Sequence, residues 1–117
     1  MNMNTELSVI AGEDLEPGRV VGFDGTYADD ETVSPAGITA AFSETGDVAT
    51  LVNEGIYLCD STGAIAQGTP VAAGTDGKMV DASGLPGDGV WILGVAVKAA
   101  SGGKVQVLYR PAYIPAL

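Results

Sequence analysis

Seventeen glycines and six prolines are spread along the 117 residues rather than gathered in one linker, and they interrupt short apolar runs about every ten residues. A chain punctuated this way leaves little room for helices of ordinary length, and no segment sustains a 3.6-residue apolar period. Short strands joined by many turns fit it, so the sequence predicts an all-β domain. The turn signals are "EPG" at 16–18, "DGT" at 24–26, "ETGD" at 44–47, "STG" at 61–63, "GTDGK" at 74–78, "LPGDG" at 85–89 and "SGG" at 101–103.

Between the turns, alternation identifies strands. Val95 and Val97 point one way and Ala96 and Lys98 the other; beyond the turn, Val105, Val107 and Tyr109 share a face. This predicts a hairpin in which Gly102 or Gly103 takes the positive φ that a short loop requires. The same pattern stands earlier in the chain. "PAGITAAFSETGDVATLV" at 35–52 aligns without a gap on "ILGVAVKAASGGKVQVLY" at 92–109, placing Gly37 on Gly94, Gly46 on Gly103, Val48 on Val105 and Leu51 on Leu108. In the first copy Ile38, Ala40 and Phe42 lead to the turn at Gly46, and Val48, Thr50 and Val52 return. A looser echo precedes each hairpin, with Leu15, Gly18 and Val21 matching Ile65, Gly68 and Val71. The reading is a small β-barrel or sandwich, β-tulip-like, built from two similar strand-hairpin halves at about 15–52 and 65–109.

The ends lie outside this pattern. Residues 1–10 and 111–117 are expected to be extended arms without regular structure of their own, flanking a single domain at 11–110. Leu7, Val9, Ile10, Tyr113, Ile114 and Leu117 are apolar groups that a free tail has little reason to display, so the arms are expected to order on a partner. At this length one compact core is expected, burying somewhat under about 70% of the unfolded surface. No run approaches the roughly 20 apolar residues of a membrane-spanning helix, and the start lacks a basic segment followed by an apolar one, so a soluble protein without a secretory signal is expected.

Charge is distributed unevenly. Residues 1–60 carry twelve acids against Arg19, a balance of −11, whereas residues 61–117 carry Asp76, Asp81 and Asp88 against Lys78, Lys98, Lys104 and Arg110, a balance of +1. Such a chain repels nucleic acid, whose binding depends on clustered cations.

The residues also argue against catalysis. There is no histidine, which removes the usual general base and the commonest metal ligand, and the one cysteine, Cys59 in "GIYLCD", has the apolar setting of a buried structural thiol. "AAGTDGKM" lacks the spacing of a phosphate loop, and "GLPGDG" at 84–89 has no helix behind it. The acidic loop 24–31, with Asp24, Asp29, Asp30 and Glu31, offers hard oxygens suited to Ca²⁺ but lacks the alternating ligand spacing of an EF-hand. No cofactor is expected. Trp91 with Tyr57 or Tyr109 would form the aromatic platform of a carbohydrate-binding or adhesive module, the competing reading, although Trp91 in "GVWILGV" has the neighbours of a core residue.

The Gly-punctuated strand pairs "LEPGRVV" and "AIAQGTPVAAGTDGKMVDA" and the ending "ILGVAVKAASGGKVQVLY" resemble the capsid decoration, or cement, proteins of tailed bacteriophages over about residues 11–109. "YADDETVSP" and "RPAYIPAL" fall outside the resemblance. It implies a β-rich, non-enzymatic protein, commonly a homotrimer, that sits on the outer surface of the virion and bridges subunits of the major capsid protein after the shell expands. It would reside in the host cytoplasm before assembly. The expected contacts with the capsid or with neighbouring subunits are Leu7, Val9, Ile10, Lys98, Lys104, Arg110, Tyr113 and Ile114. Lys98, Lys104 and Arg110 would lean toward the shell and the acidic half toward solvent.

Overall fold

The computed structural model describes residues 6–85 and 89–114. Among these, nine strands follow one another as β1 Glu6–Ile10, β2 Val20–Gly22, β3 Pro35–Thr39, β4 Val48–Val52, β5 Gly55–Asp60, β6 Pro70–Ala73, β7 Met79–Asp81, β8 Val90–Ala96 and β9 Lys104–Ile114, with a 3-10 turn at Thr75–Gly77. The fold is all-β. One sheet has the order β1-β4-β3-β2 and the other β5-β9-β8-β6-β7, with antiparallel pairing throughout.

The second sheet repeats the strand order of the first and adds β7 at its edge. Register repeats too: Val20 and Val21 lie opposite Ile38 and Gly37, and Pro70 and Val71 lie opposite Val95 and Gly94. The β4 and β9 strands differ by one residue from the gapless sequence alignment. Ile38 faces Val52, but Val95 faces Leu108; the register shifts again between Ile92 and Gly94, where Arg110 and Pro111 of β9 bulge opposite Leu93 alone. Leu51 is therefore matched by Val107 rather than Leu108, and Ala49 rather than Val48 is matched by Val105. Gly94 makes the bulge possible: its φ is 145°, and a Cβ there would stand 1.9 Å from the Leu108 carbonyl oxygen.

Two cores result. Leu15, Val21, Ala36, Ala49 and Leu51 are buried together on the front of the first sheet, with Leu7, Val9 and Tyr27 against them. Their counterparts Ile65, Val71, Leu93, Val105 and Val107 form the front of the second sheet, with Cys59 and Tyr57 in the places of Val9 and Leu7. Val20, Ile38 and Val52, on the back of the first sheet, join this second core. The halves thus stack in the same sense, the back of the first against the front of the second. Strands β2 and β3 are buried on both faces as a consequence.

The front of the first sheet is closed by local bonds. The Gly12 amide donates to the Gly25 carbonyl at 2.9 Å, the Tyr27 amide to Glu13 at 2.9 Å, and the Glu16 amide to the Tyr27 hydroxyl at 2.7 Å. Only glycine fits at 25, where φ is 83° and a Cβ would lie 1.9 Å from the Ile10 carbonyl oxygen.

Three expectations need correction. The described parts of both ends are extended, but they are strands of the sheets: β1 pairs with β4 along its whole length, and β9 continues through Pro111 to Ile114 beside β8. Second, β3 ends at Thr39; the Ala40 amide still donates to the Thr50 carbonyl at 3.3 Å, but Phe42 does not extend the first hairpin, and Ser43 bridges to Leu15 instead. Leu117 lies outside the described residues. Third, the aromatic platform is not formed as drawn, because Tyr109 is fully buried and the ring beside Trp91 is Tyr113, at 5.2 Å.

Candidate binding surface

Asp24 and Asp30 of the acidic loop each hold a turn. The Thr26 amide and hydroxyl donate to Asp24 Oδ1 at 3.0 and 2.8 Å, and those of Thr32 donate to Asp30 Oδ1 at 2.8 and 2.5 Å. Asp81 takes the same pair of bonds from Ser83. These bonds hold all three carboxyls below the ordinary carboxylate range. Asp29 accepts from the Asp76 amide at 3.0 Å, which fixes Asp76 in its left-handed conformation. The described residues hold no group of three or more such side chains placed to share a metal ion.

The two sheets are tied by an ion triad. Arg19 Nε, at the entry to β2, donates to Asp60 Oδ2 at 2.8 Å, and Lys104 Nζ, at the start of β9, donates to Asp60 Oδ1. Burial raises the Asp60 pKa, but the bonds from Lys104 and Arg19 outweigh it and hold the carboxyl below its usual value. Arg19 also lies 5.4 Å over the Tyr27 ring. Cys59 is enclosed, and burial pushes its thiol up to about 12, leaving no thiolate for chemistry.

The back of the second sheet is open and apolar. Ile56, Leu108, Val95 and Pro70 stand side by side on four successive strands. Ile56 is 53% exposed, Leu58 65% and Val95 40%. Beside Leu58 a cavity of about 260 Å³ opens between the sheets, lined by Gly18, Ile38, Ala40, Val52 and Tyr57 among others. Its polar groups are already bonded, the Thr39 hydroxyl donating to the Glu16 carbonyl and the Tyr57 hydroxyl to that of Glu54. Such a surface suits apolar protein side chains.

The residues expected at contacts do not form one patch. Leu7 and Val9 turn inward onto the first core. Ile10 faces solvent opposite Val48, the two being 59% and 64% exposed. Lys98 and Arg110 are exposed, Lys104 is committed to Asp60, and Tyr113 and Ile114 are exposed at the end of β9. Ile56, Leu58 and Val95 were missed as surface groups. For Ile56 and Leu58 the signal was "GIYLCD", where both faces of a strand read apolar although only one could enter the core.

No curated protein matches the sequence. The fold is similar to that in the crystal structure of the head fiber gp8.5 N base of bacteriophage phi29, with a TM-score of 0.67 and 18% identity over 90% of this chain and 92% of that one. The family model for phage cement proteins matches residues 2–111, nearly the whole chain, and the protein belongs to that family of phage structural proteins.

Proposed function

We propose that the protein is a cement of the phage head: it binds the outer surface of the expanded shell and bridges neighbouring subunits of the major capsid protein, as a homotrimer, without catalysis or a cofactor. The family match over residues 2–111 carries this reading. A protein that binds only the assembled shell stabilises it by mass action, and repetition over many sites makes weak individual contacts sufficient. The less acidic second half faces the shell, through Lys98, Arg110 and the Tyr113–Ile114 end of β9, while the acidic half faces solvent. The protein passes through the host cytoplasm before joining the virion.

The test is to mix purified protein with expanded capsids that lack it, count bound copies and measure resistance to heat and chelator. Saturable binding with raised resistance is expected. Unbound protein, or bound protein that leaves the shell unchanged, defeats the proposal. Charge reversal at Lys98 and Arg110 is expected to weaken binding, and unchanged binding would remove the assigned orientation.

A further inference from the structure

Within the chain, one sheet already shows what covers a back face. Val20, Ile38 and Val52 are buried because another half of the same fold lies against them. Their counterparts in the second sheet, Pro70, Val95 and Leu108, continue into Ile56 and Leu58, and this row is uncovered. We propose that a second copy of this chain covers it, in a head-to-tail contact that seats the back of the second sheet on the exposed Ile10–Val48 pair of the next copy's acidic half. This deepens the homo-oligomeric part of the function proposed above and rests on it.

Charge selects that partner surface. In the triad two residues from Leu58, the Lys104 side chain is 54% exposed whereas Asp60 and Arg19 are 15% and 19%, so the group this corner presents to solvent is a cation, with Asp76 beside the covered Arg19 and Glu54 at the far end of β5. On the other surface, Asp14, Glu44 and Asp47 are all exposed around the turn that precedes Val48. The Ala11 amide donates to the Asp47 carbonyl at 2.8 Å and Thr45 donates to Asp14, which fixes this acidic rim next to Ile10. The front of the first sheet is closed over Leu15; of the large apolar groups this half leaves exposed among the described residues, Phe23 and Phe42 stand in loops and Ile10 and Val48 are paired on adjacent strands beside the acidic rim. One patch is apolar with a positive corner and the other apolar with a negative rim. A contact between unlike patches repeats head to tail and closes into a ring where the rotation between copies brings the last onto the first, as the homo-oligomer proposed above requires, whereas pairing like with like stops at two copies.

Two variants, Leu58→Glu and Val48→Glu, each break one side of the contact, and sedimentation without capsids reads the assembly state. Both positions are largely exposed, so folding is expected to survive; circular dichroism checks it, and Ile56→Lys replaces L58E should that variant unfold. The wild type is expected to form a closed oligomer at micromolar concentration and each variant to be monomeric. Their mixture is expected to recover a two-chain complex and nothing larger, because each brings the side the other lacks. Glu44→Lys with Asp47→Lys is expected to weaken assembly at least tenfold. A monomeric wild type, a V48E variant that assembles normally, or a mixture that stays monomeric would overturn the contact. A monomeric wild type that still decorates capsids would overturn it while leaving the cement reading intact.

Discussion

The two halves share a strand order, matched registers and matched front-face cores, yet Ile38 on the back of the first is 1% exposed and its counterpart Val95 on the back of the second is 40% exposed. Strand order and local sequence set which residues share a face. Whether a face is buried depends on what is stacked against it. The first half presents its back to the second, and the second presents its back to solvent.

The largest effect is expected where the halves differ in backbone. Gly94→Ala puts a side chain at a φ of 145° and drives it into the Leu108 carbonyl, whereas at Gly37 a Cβ would stand 2.8 Å from the Val52 carbonyl with no unfavourable φ. Denaturant titration should show a loss of about 4 kcal/mol for G94A and about half of that for G37A. Equal losses would mean that the bulge does not set the halves apart.

Next comes the back-face pair itself. Ile38→Ala should cost about 3 kcal/mol and Val95→Ala no more than about 0.5. A large loss at Val95 in monomeric protein would show that the second back face is covered within the chain.

The joint between the halves contributes less. Asp60→Asn should lower stability by about 1 kcal/mol, since the pair sits near the surface and solvent screens it. The Asp60 carboxyl is held below its usual pKa, so its contribution is complete above the ordinary carboxylate range and is lost as pH falls through the folded value. The wild type should therefore lose its advantage over D60N in acid. A difference that stays constant with pH would assign the loss to packing.

The smallest change is expected at Tyr109→Phe. Among the described residues the Tyr109 hydroxyl is buried without a hydrogen-bond partner, so removing it should leave stability unchanged or raise it by up to about 1 kcal/mol. A clear loss in thermal unfolding would reveal a partner, such as a bridging water.

Much of this architecture was legible in the sequence because paired glycines and alternating valines report geometry directly. Val105, Val107 and Tyr109 announce a strand, and Gly37 and Gly94 mark where β3 and β8 run too close to a neighbour for a side chain. The alternation of Leu7, Ser8 and Val9 also announces one, but an isolated segment does not name the strand that will pair with it, and β1 was read as an arm. Pro111 suggested the end of β9; it sits within the β9 bulge opposite Leu93, where the ladder shifts and its missing amide costs no regular pairing. The acidic loop looked like a ligand cluster because Asp24 and Asp30 are close in sequence, while each is spent on its own Asp-x-Thr turn. The binding surface was least legible, since exposure of Leu58 follows from how two sheets stack.

Strand β9 runs eleven residues, paired with β5 over Lys104–Tyr109 and with β8 almost to its end. Tension applied at its C-terminal end acts along the strand, across ladder bonds that lie perpendicular to it. Those bonds must then slide and fail together rather than unzip singly, which makes this end of the molecule resistant to shear.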